Sequence, residues 1–240
     1  MPYLDFNTIL VSNNDFSESS VKETFALFKS LGIKNFIFTF DYDHDSRPIS
    51  FAISKFRTLK PYLSSLAPHG VHIYTSFNVI MSEGFVYEPS FNRLSLGHSD
   101  RIFLSLPYFD YEDWIESDMN RLLYKNKLKP TFISMERYLK NDDRNFINRF
   151  IAIKNSIIAL DVNYITSLDA TKTIIDLISR SSMIVPCITC NIFEYPGIQT
   201  AFKNFQKRIT IRNYGRLCNS FFASSHEILK DAKFYPRNDD

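Results

Sequence analysis

The run Asp41-Tyr-Asp-His-Asp45 places three carboxylates and an imidazole within five residues. That donor set suits a hard or borderline divalent cation such as Mn, which takes carboxylate oxygen and imidazole nitrogen. With Glu136 or His98 brought alongside, Asp41, Asp43, His44 and Asp45 would hold one ion and activate a water for phosphoester hydrolysis. The run is no EF-hand, because Ser46 stands where that turn needs glycine and Ala52 where a bidentate glutamate belongs. Without a metal, the loop is a solvated acidic turn that caps a helix starting near Ser50.

A second chemical stretch is Pro130-Thr-Phe-Ile-Ser-Met-Glu-Arg-Tyr138. Arg137 offers a planar fork that binds phosphate bidentately; a structural contact of Glu136 and Arg137 with neighbouring loops accounts for the pair equally well. His69 and His72 flank the start of an apolar run, His98 sits in a turn with Gly97, and His226 lies near the end of the chain. Each is a lone imidazole of the structural or exposed kind. Cys187-Ile-Thr-Cys190 ends an apolar run, whereas a redox pair needs a helix N-terminus to stabilise thiolate, so buried structural thiols are expected. Lys203, Lys207, Arg208, Arg212 and Arg216 alternate with Phe202, Phe205 and Tyr214. That spacing suits an amphipathic helix with its aromatics in the core and its cations in water, with an RNA-binding face as the alternative.

The elements that must position these residues follow from the patterning. At 240 residues, with 45% apolar and 22% charged residues, the chain suits one large core. Only 6 glycines are present, so the glycine-rich loops that cradle nucleotides are missing. A net charge of +2 supplies no field that by itself selects nucleic acid or an anionic membrane. No apolar run reaches the ~20 residues of a membrane span, and the first residues lack a basic and apolar leader. With three cysteines, an odd number, this predicts a cytoplasmic protein without membrane insertion. Strands are predicted near Leu4–Ile9, Asn35–Phe40, Val71–Phe77, Arg101–Leu106, Thr131–Ser134, Ile157–Val162 and Ile184–Ile188. Helices are predicted over Ser17–Leu31, Phe51–Leu66, Tyr111–Lys125, Asp142–Lys154, Asp169–Ser179 and Pro196–Arg208. Strand–helix alternation implies an α/β fold with a parallel sheet, and seven such units suit a closed or nearly closed barrel with chemistry at the strands' C-terminal ends.

The Pro130–Tyr138 segment resembles the P-x-x-x-A-H-P-E-R-Y motif of the metal-dependent protein-tyrosine phosphatases of bacterial capsule loci, members of the PHP (polymerase and histidinol phosphatase) superfamily. Ser134 then stands at a metal-binding histidine and Met135 at a proline. The resemblance extends, dispersed, over essentially the whole chain. Asp5-Phe-Asn-Thr-Ile-Leu10 is similar to D-I-H-S-H-I-L, with Asn7 and Ile9 at the two histidines; Thr39-Phe-Asp-Tyr42 is similar to T-P-H-Y, with Asp41 at the histidine. Ser76-Phe-Asn-Val79 resembles G-A-E-I, leaving Asn78 where a bridging glutamate belongs. Cys187-Ile-Thr-Cys-Asn191 resembles S-D-A-H-N, with Ile188 for aspartate and Cys190 for histidine.

The resemblance implies a distorted seven-stranded PHP-type β/α barrel as a single domain over residues 1–235, followed by a disordered tail at 236–240. It implies equally that the metal ligands of such enzymes are replaced here by neutral or non-coordinating residues, which removes the activated water and the Lewis acid. The expectation is a catalytically inactive phosphatase-like protein with no cofactor, linked to capsule or exopolysaccharide regulation. It would bind a protein partner, a phosphotyrosine-bearing tail being one form, at a pocket bounded by Asn7, Asn78, Ser134 and Arg137. The alternatives are a divergent metal-dependent phosphoesterase built on Asp41, Asp43, His44 and Asp45, and a metal-free RNA-binding scaffold.

Overall fold

The computed structural model describes residues 8–11, 18–30, 35–97, 99–106, 111–136, 138, 144–161, 172–173, 176–178, 181 and 184–191. Within them lie strands β1 (Thr8–Val11), β2 (Asn35–Asp43), β3 (His72–Ile80), β4 (Arg101–Ser105), β5 (Lys129–Ile133), β6 (Ile157–Asp161) and β7 (Ile184–Asn191). Helices α1 (Glu18–Ser30), α2 (Ile49–Leu66), α3 (Asp113–Tyr124) and α4 (Arg144–Ile151) alternate with them. Neighbouring strands pair in parallel in chain order, and β7 pairs with β1 as well as with β6. The expected α/β class and parallel sheet are therefore present. The predicted helix at Pro196–Arg208 and the tail at 236–240 lie outside the described residues.

Alternation along the strands sorts residues between two layers. Phe36, Phe38 and Phe40 of β2 turn to the helices: Phe25 of α1 stands edge-on to Phe36 at 5.0 Å and to Phe38 at 5.9 Å, and Phe56 of α2 meets Phe40 at 5.5 Å and Phe77 of β3 at 5.2 Å. Helix α2 supplies Ile49, Phe56 and Leu63, seven residues apart and all buried, the spacing that keeps one stripe on the sheet. Helix α3 does the same with Ile115, Met119 and Leu122, and Phe150 of α4 lies 4.8 Å from Phe132 of β5. Each fully buried aromatic of this layer is worth roughly 1.5–3 kcal/mol in apolar area removed from water.

The intervening residues face the other way and, Phe103 apart, are smaller or polar: Ile37, Thr39, Ser76, Phe103, Ser105, Thr131 and Ile133 are all buried. At the N-terminal end of β4 the Arg101 side chain is buried, and its Nη1 donates to Thr131 Oγ1 at 3.2 Å. The C-terminal ends of the same strands carry the shorter polar groups, Asp41, Asn78 and Ser105. Both faces are covered, which is how a parallel sheet avoids water.

Three sequence expectations shift. Strand β1 is described over Thr8–Val11 and so runs past the predicted end at Ile9, while residues 4–7 lie outside the described residues. Helix α2 begins at Ile49, with Pro48 in the N-cap position, because a proline pre-sets its φ and gives up an N–H the helix end does not need. Between β3 and β4 the chain makes two short 3-10 turns, Phe85–Tyr87 and Phe91–Leu94, that no periodicity argument foresaw. Their Phe85 and Phe91 pack edge-to-face at 5.4 Å and are buried.

Candidate functional site at the strand ends

The strand ends hold a continuous chain of hydrogen bonds. In the β2–β3 register Asp41 lies beside Asn78. The Asn78 side-chain amide donates to Asp41 Oδ1 at 2.8 Å, and Ser105 Oγ donates to Asn78 Oδ1 at 2.7 Å. Three strands are tied by three side chains, and both ends of the Asn78 amide are engaged. Asn78 and Ser105 are buried. Asp41 lies at the open rim, yet burial of its carboxyl against the strands pushes its pKa up, with the Asn78 hydrogen bond pulling it partly back.

On β5 the chain leaves the strand through Ser134, whose φ of 58° lies in the left-handed region. For a residue with a β-carbon this costs on the order of 1–2 kcal/mol, and such strain gathers at functional sites. The kink sends Met135 and Glu136 inward, and both are buried. Of the four residues predicted to bound a ligand pocket, Asn78 and Ser134 therefore sit at the C-terminal ends of β3 and β5. Asn7 and Arg137 lie outside the described residues, as do His98, His226 and the basic stretch Lys203 to Arg216.

The acidic loop is built differently from either sequence reading. Asp43 folds its own turn: Oδ1 accepts the Asp45 N–H at 3.1 Å, Oδ2 accepts the Ser46 hydroxyl, and the Asp43 carbonyl takes the N–H groups of Ser46 and Arg47. His44 Nδ1 lies 3.2 Å from Glu88 Oε1 without hydrogen-bonding alignment. Asp41 is turned to Asn78. Asp41, Asp43 and His44 thus face separate partners, and among the described residues no three His, Cys, Asp or Glu side chains come together in a metal-holding group. Among the described residues the Asp41 and Asp43 carboxylates are engaged by Asn78 and by the Asp43 turn, which keeps these two from converging on one point. The loop does not cap α2 either: Pro48 makes no side-chain cap bond and the first turn of α2 has no acid. Behind the loop, the buried Tyr42 hydroxyl has no hydrogen-bond partner, and burial, with Glu88 and Asp43 adding to it, pushes its pKa up to about 12.

Cys187 and Cys190 both lie in β7, in register with Asp161 and Leu10. Three steps along a strand span about 10 Å, beyond the Cα separation a disulfide bridges, which removes the redox reading of that pair. His69 and His72 are exposed beside the start of β3, as expected. Sequence reasoning missed Ser105; the available signal was a lone hydroxyl closing an otherwise apolar strand end next to a strand that ends in Asn78.

No protein-family model matches the chain, and no curated protein sequence matches it. Among solved structures it is similar to a chain from the crystal structures of YwqE from Bacillus subtilis and CpsB from Streptococcus pneumoniae, unique metal-dependent tyrosine phosphatases. The TM-score is 0.64 at 13% identity, with 95% of this chain and 94% of the other covered. Likeness over nearly the whole of both chains at so low an identity is likeness of architecture: this chain has the fold of those metal-dependent tyrosine phosphatases.

Proposed function

We propose that the chain is a PHP-type barrel of seven strands that has given up phosphatase chemistry and uses the strand-end mouth to bind a phosphorylated protein segment. The observation that carries this reading is the Asp41–Asn78–Ser105 chain. A divalent cluster needs several anionic or imidazole donors converging on one point. The described mouth residues do not fit one: the Asn78 amide nitrogen is aimed at the nearest carboxylate, its oxygen accepts from Ser105, and Ser105 and Ser134 are neutral. What remains is a polar surface suited to holding a ligand through hydrogen bonds, with Arg137 supplying a fork for phosphate. A link to capsule or exopolysaccharide regulation comes with the resemblance to the capsule-locus enzymes, and a cytoplasmic place with the odd number of cysteines.

The test is titration of a phosphotyrosine peptide against wild type and Arg137→Ala, alongside aryl-phosphate hydrolysis with added Mn. Specific binding that falls about tenfold or more in the variant, as loss of a charge-assisted pair implies, together with no hydrolysis, supports the proposal. Equal binding by the two proteins removes Arg137 from it. Metal-dependent hydrolysis abolished by Asp43→Ala or His44→Ala would establish the relocated-site phosphoesterase instead.

A further inference from the structure

Asp41 closes the chain of hydrogen bonds at the mouth, and the direction of that chain fixes what Asp41 offers a ligand. Ser105 donates to Asn78 and Asn78 donates to Asp41 Oδ1, so the chain ends on an acceptor. Two buried side chains on β3 and β4 thus orient a carboxylate whose own residue is exposed. Among the described residues its second oxygen, Oδ2, has no hydrogen-bond or ion-pair partner. Burial of the carboxyl raises its pKa, the Asn78 amide lowers it, and among the described residues no cation acts on it. A partly desolvated carboxylate without a counter-charge is costly. Asp43 and Asp45 follow on the same loop and add charge of the same sign. Arg47 and Lys55 are gathered on the Phe51 ring instead, each 5.2 Å from its centre. With Asp41 and Asp43 they line a cavity of ≈ 220 Å³ between β2 and α2, where both signs of charge are present and neither is selected.

We infer that Asp41 is a specificity-determining residue of the mouth: it selects, among phosphorylated protein segments, one that carries a lysine or arginine near its phosphorylated residue. The inference rests on the phosphopeptide reading above and adds a second charge to it. The phosphate is taken up by Arg137, which follows β5 in the chain, and the cationic side chain meets Asp41 Oδ2 on β2. Strands β2 and β5 are separated by β3 and β4; at about 4.8 Å between neighbouring strands, their ends lie about 14 Å apart or less around the mouth. An extended peptide advances about 3.3 Å per residue, so a long cationic side chain within about three residues of the phosphate spans that distance. A hydrogen bond from an ammonium or guanidinium to a carboxylate is charge-assisted and stronger than one between neutral groups. A neutral donor at the same place engages Oδ2 without answering its charge, and a glutamate is repelled.

The experiment is calorimetric titration of the full chain with phosphotyrosine peptides that carry lysine, glutamine or glutamate in turn at each position flanking the phosphotyrosine, against wild type and Asp41→Asn. The variant keeps an oxygen for the Asn78 amide and loses only the charge, so it should melt with wild type. The expected result is that lysine, at one flanking position or more, tightens binding to wild type about fivefold over glutamine, while glutamate weakens it. In Asp41→Asn the lysine preference should fall below about twofold, with the preference for phosphorylated over unphosphorylated peptide unchanged. Acetylating the preferred lysine removes its charge with the protein unaltered, and should cancel the same gain. Phosphopeptides that bind without a lysine preference, or with one that survives Asp41→Asn or acetylation, overturn the role of Asp41 and leave the phosphopeptide reading standing. Absence of any phosphorylation-dependent binding to wild type overturns both.

Discussion

Asn78 is the residue on which the strand ends turn, because it is the member of the mouth that both donates to one strand and accepts from another. A carboxylate at that position would meet Asp41 across a hydrogen-bond distance of 2.8 Å, and two such groups cannot both ionise at little cost. Asn78→Asp should therefore hold one shared proton at low pH, where the neutral acid replaces the amide as donor. The sign follows from the raised folded pKa: its contribution is present below the unfolded value and is lost as pH rises through the folded one. We expect the variant to melt near wild type at pH 5 and to fall behind it by roughly 1–2 kcal/mol by pH 8. Urea melts at the two pH values decide it, and a pH-independent difference would remove the direct coupling to Asp41.

Between residues and the whole fold, the segment joining β3 to β4 shows how an element without regular periodicity is held. Gly84 takes a φ of 81°, which a β-carbon would resist, and its N–H donates to Asp118 Oδ2 on α3 at 2.9 Å. The Asn126 amide reaches the Val86 carbonyl at 3.3 Å, and the Arg121 guanidinium lies 4.0 Å from the centre of the Tyr87 ring. Burial raises the Asp118 pKa; the Gly84 hydrogen bond and Arg121 lower it, and Glu83 adds to the rise. A raised carboxylate pKa means stability present at low pH and diminished as pH climbs through the folded pKa. Asp118→Asn keeps an acceptor for Gly84 and cannot ionise, so it should be at least as stable as wild type at neutral pH and flatten the pH dependence. Asp118→Ala leaves that N–H without its partner and should cost about 1–3 kcal/mol. Chemical denaturation at pH 5 and pH 8 separates the three proteins; equal losses in both variants would contradict the assigned role.

For the molecule as a whole, the pairing of β7 with β1 joins the chain's first described strand to its last. A fragment ending at Ser156 keeps β1 through β5 and loses β6 and β7, stripping one partner each from β1 and β5. Two bare parallel edges result, and open edges template association. The fragment should aggregate or run as large species in size-exclusion chromatography, whereas the full chain should unfold in one transition. A monomeric fragment with native-like circular dichroism would show that the pairing of β7 with β1 and of β6 with β5 contributes little to stability. No described helix is long and apolar enough to cross a membrane.

The order and kind of the described strands and α-helices were legible in the sequence because strand and helix periods differ. Runs such as Asn35–Phe40 and Arg101–Leu106 are too short and too rich in β-formers for helices, and the stripe of Ile49, Phe56 and Leu63 repeats at a helical period. Asn78 and Ser134 were legible as mouth positions through their place in a motif. What the sequence could not decide was where each side chain of Asp41, Asp43 and His44 points, since carboxylates close in sequence read as a cluster until strand alternation and turn bonds send them to different partners. Ser105 became part of the site only through the lateral order of β2, β3 and β4. The cavity between β2 and α2 is likewise tertiary, because Phe40, Phe51 and Phe77, which line it, come from three separate elements. Local sequence sets propensity and period; which donors meet is set by register and by the packing of helix on sheet, both of which depend on residues far apart in the chain.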